Sequence, residues 1–539
     1  MFGIFYTPTI WVNEAHKMIS EQFGDDWKEK YVVWDCSWGT GNLTRDYKFK
    51  ELYCSTLHRS DIETANQMKI NPEAVKFQFD FLNDDLELLK EPDYAPGLWK
   101  ALQEGKEIIF LINPPYGSVQ SFDNIKQDGG QSKKEIDNTN VKKLMNNDNM
   151  GLSVKNLYSQ FLYQIMNIKK SKICIFSPPL FLTGSDFKAF RNKFLNNFDY
   201  VNGMLFDSKH FADVSSWGLS FTIFNSDIQN KITNEFPILV KEIDENFDVF
   251  IKEKKYLYNM DENLGCNDWV RQETKGLKAT EDLPKLSSAL EVKQKGYSNL
   301  VKNAFGYYYS NGNNIYYNGT NVALFSSCFS GKSGLSIIKE NYKKCVSLFT
   351  ARKSIQSNWI NQKDEYIAPT EATQSSPEYI QWNNDAIVYS LFNTSSNQSS
   401  MRQITYKDKL WDIKNEFFWL SKEEMMNLAE QYYFDELYQD ARNSEERYVY
   451  NILQTTPLSS DAQELLDMSK ELIQKSFKMR KFMHEEHPEY HLNTWDAGFY
   501  QIKKILNEYY KDDYKIFVEK YKAFENRMRE GVYKFGFLK

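Results

Sequence analysis

Asn113, Pro114, Pro115 and Tyr116 are the residues whose order most directly suggests chemistry. They follow five apolar residues, 108–112, that read as a buried strand. A strand ending in a proline-locked turn holds its side chains rigidly at a sheet edge. The Asn113 side-chain oxygen and the Pro114 carbonyl can each accept a hydrogen bond from a planar amino group, and the Tyr116 ring offers a face on which an extruded base stacks. Acceptors so placed would free the amine's lone pair from conjugation and aim it at an electrophile such as a sulfonium methyl. Such a transfer needs no acid, metal or covalent nucleophile, because positioning supplies most of the rate. Ser177-Pro178-Pro179-Leu180 also follows an apolar run, but it lacks the ring and reads as a turn.

Three other segments carry groups suited to a nucleoside-like ligand. Asp35-Cys36-Ser37-Trp38-Gly39-Thr40-Gly41 follows the apolar run 31–34. Gly39 and Gly41 let backbone approach a ligand, and an acid at a strand end can bind hydroxyls or an ammonium group. By itself a Gly-x-Gly turn is as often a packing device. Asp61 lies about twenty residues beyond, where ribose-binding acids occur in doubly wound folds, although His58, Arg59 and Ser60 separate it from the run 52–57. Phe79-Asp80-Phe81-Leu82 offers an aspartate between aromatics, suited to an adenine amine, or alternatively a helix cap.

Stepping outward to what positions these groups, apolar runs at 31–34, 52–57, 108–112, 173–176, 201–206 and 219–224 alternate with amphipathic segments. This predicts an α/β domain with a mostly parallel, doubly wound sheet, whose ligands bind beyond the carboxyl ends of the strands. Residues 117–151 are polar, Asn- and Lys-bearing, and predict a mobile loop. Beyond about residue 225 the alternation fades into a Tyr-, Asn- and Ser-rich stretch that includes Tyr307 to Tyr309. From Trp411 helical signals dominate, with Ser421/Glu424 and Ser460/Gln463 fitting capping boxes. The predicted domains are therefore 1–235, catalytic; 236–410, mixed or strand-rich; and 411–539, helical.

The order of these segments resembles the gamma class of DNA amino-methyltransferases, with Rossmann-like catalytic domains and C-terminal target recognition. The resemblance covers roughly the first 225 residues. It implies S-adenosyl-L-methionine as cofactor, duplex DNA as partner and the N6 amine of a flipped adenine as acceptor. It further implies that Asn113 to Tyr116 are catalytic, with Tyr116 stacking on the base. Asp35, Ser37, Gly39 and Gly41 would then form the cofactor loop, Asp61 the ribose-binding acid, and Asp80 with Phe81 the adenine-binding pair. Tyr6, Thr7 and Pro8 resemble an element covering the cofactor's methionine end. His210-Phe211-Ala212-Asp213-Val214 resembles the segment whose Phe packs on the target base, assigning that role to Phe211; core packing is its plain alternative. The chain departs from the family in having Cys36 and Trp38 after the first acid, and in the displaced Asp61.

Other readings are narrower. A formal charge of −7 argues against a uniformly basic nucleic-acid binder but allows a local basic cleft. Six cysteines without a CxxC pair fit neither a zinc ribbon nor a disulfide scaffold and suit a reducing cytoplasm, bacterial, archaeal or phage-encoded. No signal peptide and no membrane span is expected. Ser330-Gly331-Lys332-Ser333 lacks the earlier glycine of a phosphate loop, since Ser326 stands there, and His484, His487 and His491 lack metalloprotease spacing. No metal is expected. The alternatives kept open are a planar amine in RNA or a protein glutamine as acceptor, and a combined restriction-modification enzyme. A cognate restriction endonuclease is a candidate partner; the oligomeric state stays open.

Overall fold

The computed structural model describes residues 7–116, 138–211, 216–227, 233–280, 282–284, 300–327, 333–432 and 445–539. The chain divides into two compact units, 1–262 with 358–364, and 263–357 with 365–539.

The first unit is built on nine strands: β1 Val32–Asp35, β2 Leu52–Thr56, β3 Val75–Gln78, β4 Ile108–Ile112, β5 Ser171–Ser177, β6 Asp199–Asp207, β7 Gly218–Asn225, β8 Glu235–Ile243 and β9 Val249–Tyr258. Their order is β3-β2-β1-β4-β5-β7-β6-β8-β9. β3, β2, β1, β4 and β5 run parallel, while β7 is antiparallel to both its neighbours. This is the Rossmann-like, doubly wound sheet expected from the sequence. Its order reverses between β1 and β4, the switch point beyond which such sheets bind ligands.

The continuous apolar runs arise because both faces of the sheet are covered. In β4, Ile108, Phe110 and Ile112 enter one core and Ile109 and Leu111 the other. Helices Pro96–Gln103, Leu157–Ile165 and Lys188–Leu195 cover the first face through residues such as Leu98, Phe161 and Phe194. Helix Thr9–Phe23 covers the other with Trp11, Val12, Ala15, Met18 and Ile19, the spacing of one helical stripe. Burying the five side chains of β4 contributes roughly 1.5–3 kcal/mol each. The sum rivals the net stability of a whole domain, so the base of the Asn113 turn cannot readily peel away.

Two boundaries differ from expectation. The first unit runs to Glu262 instead of ending near 235, because β8 pairs with β6 and β9 with β8. Within the segment read as a mobile loop, Asn140–Asn147 is a helix capped by Thr139, with Val141 and Met145 buried. Their i, i+4 spacing was hidden among Lys and Asn; residues 117–137 lie outside the described residues.

The second unit holds a four-stranded sheet with β10 Gly306–Ser310 at its centre and a separate hairpin, Met401–Tyr406 with Lys409–Ile413. Its long helices include Tyr342–Lys353, Pro377–Phe392, Ser460–Glu486 and Lys511–Lys534, so helical structure begins well before 411. Ser421 and Glu424 form the expected capping box. At helix Ser460–Glu486, Ser459 is the cap, not Ser460, and its hydroxyl accepts from the Ala462 amide. Among the described residues, no helix is long and apolar enough to cross a membrane.

Candidate active site

A cavity of about 650 Å³ opens beyond the carboxyl ends of β1, β2 and β4. Ser37, Gly39, Asp61, Asp80, Phe81, Asn113, Pro114, Pro115 and Tyr116 all line it. Nine of the predicted site residues, drawn from four segments, thus share one enclosure of the size that small-molecule ligands occupy.

The floor comes from the turn after β1. Asp35 is buried, and its carboxylate accepts from the Ser37 amide at 3.1 Å and the Ser37 hydroxyl at 3.5 Å. Burial pushes its acid from 3.8 up to about 8, the Ser37 bonds only partly opposing this. Asp35 stands behind the surface that Cys36 and Ser37 present to the cavity. Gly39 takes φ +53° with open space where a side chain would project. Gly41 is not on the lining. At φ +77° it lies against Trp38, where an added Cβ would come within 2.9 Å of the indole. Its need for glycine is met by packing against the very tryptophan that departs from the family pattern.

The displaced acid has a simple explanation. Helix Arg59–Gln67 starts almost directly after β2, so Asp61 sits in its first turn and reaches back to the strand end. There the Thr56 hydroxyl donates to it at 2.7 Å. Asp80 lines the cavity and also closes a turn, accepting from the Leu82 amide at 3.0 Å and the Asn83 side chain at 2.8 Å; no helix starts there, so it is not the helix cap of the alternative reading. A carboxylate has about four acceptor positions, so these bonds leave capacity for a ligand. Phe81 is stacked on Phe161 at 5.4 Å and edge-on to Trp34.

At the end of β4, the Tyr116 hydroxyl donates to Asn113 Oδ1 at 2.5 Å, and Asn113 Nδ2 donates to the Thr7 hydroxyl at 2.7 Å. Burial raises the Tyr116 phenol well above its usual value, so it is a neutral donor at any ordinary pH. Pro8 is the N-cap of helix Thr9–Phe23. Neither Thr7 nor Pro8 lines the cavity, and Tyr6 lies outside the described residues.

Phe211 is elsewhere. Only 8% exposed, it stacks on Phe206 at 5.5 Å and packs against Phe176, in the core beneath helix Thr9–Phe23. An aromatic neighbour of Tyr116 among the described residues is Trp217, edge-on at 6.2 Å. The sequence reading missed this contact, and also missed Thr139, Leu157 and Phe161, which line the cavity as Trp217 does not. The i, i+4 pair Leu157/Phe161 carried a signal; Trp217 carried none beyond its ring. Among the described residues, no group of three or more His, Cys, Asp or Glu could hold a metal.

No protein-family model and no curated protein matches the chain. Among solved structures it is similar to a DrdV–DNA complex, at 18% identity and a TM-score of 0.32. It is also similar to a nuclease-deletion mutant of the Type ISP restriction-modification enzyme LlaGI in complex with a DNA substrate mimic, at 15% identity and 0.31. A third is the type IIG restriction endonuclease BpuSI, at 15% identity and 0.30. Each match covers 44% of this chain and 27% of the other, well short of that protein's length.

Proposed function

We propose that the first unit is an S-adenosylmethionine-dependent methyltransferase acting on the N6 amine of an adenine flipped out of duplex DNA. The observation that carries this reading is the shared cavity, which gathers a nucleoside-type lining and the Asn113 to Tyr116 turn. The lining fits the cofactor: two carboxylates, Asp61 and Asp80, for hydroxyls and an amine, the Phe81 ring for a base, and a left-handed turn at Gly39 for close approach. When bound, S-adenosylmethionine supplies a sulfonium-activated methyl group.

The chain's own part is orientation. Asn113 Oδ1 and the Pro114 carbonyl accept the two amine hydrogens, which turns the nitrogen lone pair out of the ring plane. Pro114 and Pro115 lack N–H groups and fix their own φ, so the turn holds its carbonyls without competing donors. Tyr116 stacks on the extruded base, and Trp217 is better placed than Phe211 to bound the same space. The second unit, bearing mixed sheet and helix, is assigned to target recognition, with a cognate restriction endonuclease as partner.

The test is transfer of tritiated methyl from S-adenosylmethionine to DNA, RNA and protein in parallel, with Asn113→Ala as control. Label recovered as N6-methyladenine, and lost in the variant while cofactor affinity persists, is the expected result. Label in RNA or in protein glutamine would retain the amine chemistry and replace the substrate. Wild-type transfer by Asn113→Ala would refute the mechanism.

A further inference from the structure

Residues 139–141 are fastened to the segment that carries Asp80. The Val141 amide donates to the Leu82 carbonyl at 3.1 Å. Asn140 makes two bonds to the next residue along: its backbone N–H donates to Asn83 Oδ1 at 3.0 Å, and its Nδ2 donates to the Asn83 carbonyl at 2.8 Å. Asn83 passes the connection on, its Nδ2 donating to Asp80 Oδ2 at 2.8 Å, while the Leu82 amide donates to Asp80 Oδ1 at 3.0 Å.

A side-chain amide turned by half a rotation exchanges its donor and acceptor ends. For Asn83 the neighbours fix the choice. A backbone N–H only donates, so the end facing Asn140 is the oxygen, and the NH2 end is left for the Asp80 carboxylate, which accepts. A reversed amide would set oxygen against oxygen at one end and N–H against N–H at the other. The Asn140 N–H is available because this residue is the first of helix Asn140–Asn147, where backbone donors have no partner inside the helix. The residue before it is anchored, since Thr139 is buried and its hydroxyl donates to Gln160 Oε1 at 2.6 Å. Asp80 is thus pinned at both oxygens and cannot turn about its own bond without losing a donor. Asp80 and Asn83 line the cavity; Asn140 does not.

We infer that Asn140 is a positioning residue for the adenine end of the cofactor: its N–H orients the Asn83 amide, which with the Leu82 amide holds the Asp80 carboxylate ready to accept from a 6-amino group. This rests on the proposed use of S-adenosylmethionine. Asn140 acts only through Asn83 and Asp80.

The test reads base discrimination by the full chain, as the ratio of calorimetric affinities for S-adenosylhomocysteine and its 6-oxo counterpart, S-inosylhomocysteine. A carboxylate held for the amine should favour the adenine compound by about ten- to a hundredfold, the scale of a hydrogen bond to a charged group. Asn140→Pro removes the N–H yet suits the first helical position, and Thr139, at φ −66° and ψ 153°, already has the extended backbone that precedes a proline. This variant should lower the ratio about three- to tenfold. Asn83→Asp keeps an acceptor for Asn140 but sets a second carboxylate against Asp80 where a donor stood, and should lower the ratio at least as far. Asn140→Ala keeps the N–H and should retain most of it.

A ratio that stays at the wild-type value in Asn140→Pro and Asn83→Asp would overturn the inference even if both nucleosides bind more weakly, because a purely structural loss weakens them alike. An Asn140→Ala ratio as low as that of Asn140→Pro would overturn it too, by taking the role away from the N–H. A wild-type chain that binds the two nucleosides equally would remove Asp80 from the adenine edge and the inference with it, whereas one that binds neither would refute the cofactor itself.

Discussion

Replacing Asp35 with Asn removes a buried ionisable group while keeping the oxygen to which Ser37 donates, and it should erase the pH dependence of cofactor binding. Burial raises the Asp35 acid from 3.8 to about 8 in the folded chain. Between those values the folded state holds a proton that the unfolded state has released, so this group's contribution to stability falls as pH rises through the window. A cation entering beside Ser37 favours the ionised form and expels that proton. With an acid near 8, about one chain in a hundred is ionised at pH 6 and about half at pH 8, so affinity should rise roughly fiftyfold across those two units. Titration calorimetry with S-adenosylmethionine, in buffers of different ionisation enthalpy at pH 6, 7 and 8, measures both affinity and protons released. Close to one proton should leave the wild type at pH 6, and Asp35→Asn subtracts any titration of the ligand itself. A wild-type affinity that stays flat over this range, or an Asp35→Asn slope equal to it, would refute the electrostatic argument.

Phe211→Leu should lower stability by about 1–2 kcal/mol through lost core packing yet leave methyl transfer intact, whereas Trp217→Leu should impair transfer with little change in melting temperature. The opposite pattern would restore Phe211 to the target-base role. Asp80→Ala should weaken cofactor binding and also cost about 1–2 kcal/mol, because it frees the Leu82 amide and the Asn83 side chain. A lower melting temperature with unaltered cofactor affinity would reduce Asp80 to closing its turn. Gly41→Ala should destabilise the fold by about 1–3 kcal/mol through its clash with Trp38, while Gly39→Ala should act mainly on cofactor affinity, as calorimetry and thermal melts together would report.

What could be read from the sequence follows burial. β1, β2, β4 and β5 are enclosed on both faces and show as apolar runs, so the doubly wound sheet was legible, while its strand order was not. β3 was not, because only Phe77 of its four residues is buried and an edge strand has no apolar run to show. The β8–β9 hairpin was missed for a related reason: Lys252 to Lys255 lie on strand β9, where charged residues leave no apolar run to show. At the site, residues bound to a local backbone signature, such as Asn113 after a buried strand, were found. Thr7 and Trp217 touch partners about a hundred residues away, a relation that no local pattern encodes. Phe211 shows the converse, since a segment can resemble a known element while its ring serves the core.

The turns bearing Ser37 and Asn113 spring from β1 and β4, which are adjacent strands in register, Val32 opposite Ile108 and Trp34 opposite Phe110. The starting points of the two turns are consequently held by backbone spacing, about 4.8 Å between neighbouring strands. A yardstick made of peptide bonds is insensitive to point substitution. Divergence in the lining can therefore alter which molecules enter while the two turns keep their footing on the sheet.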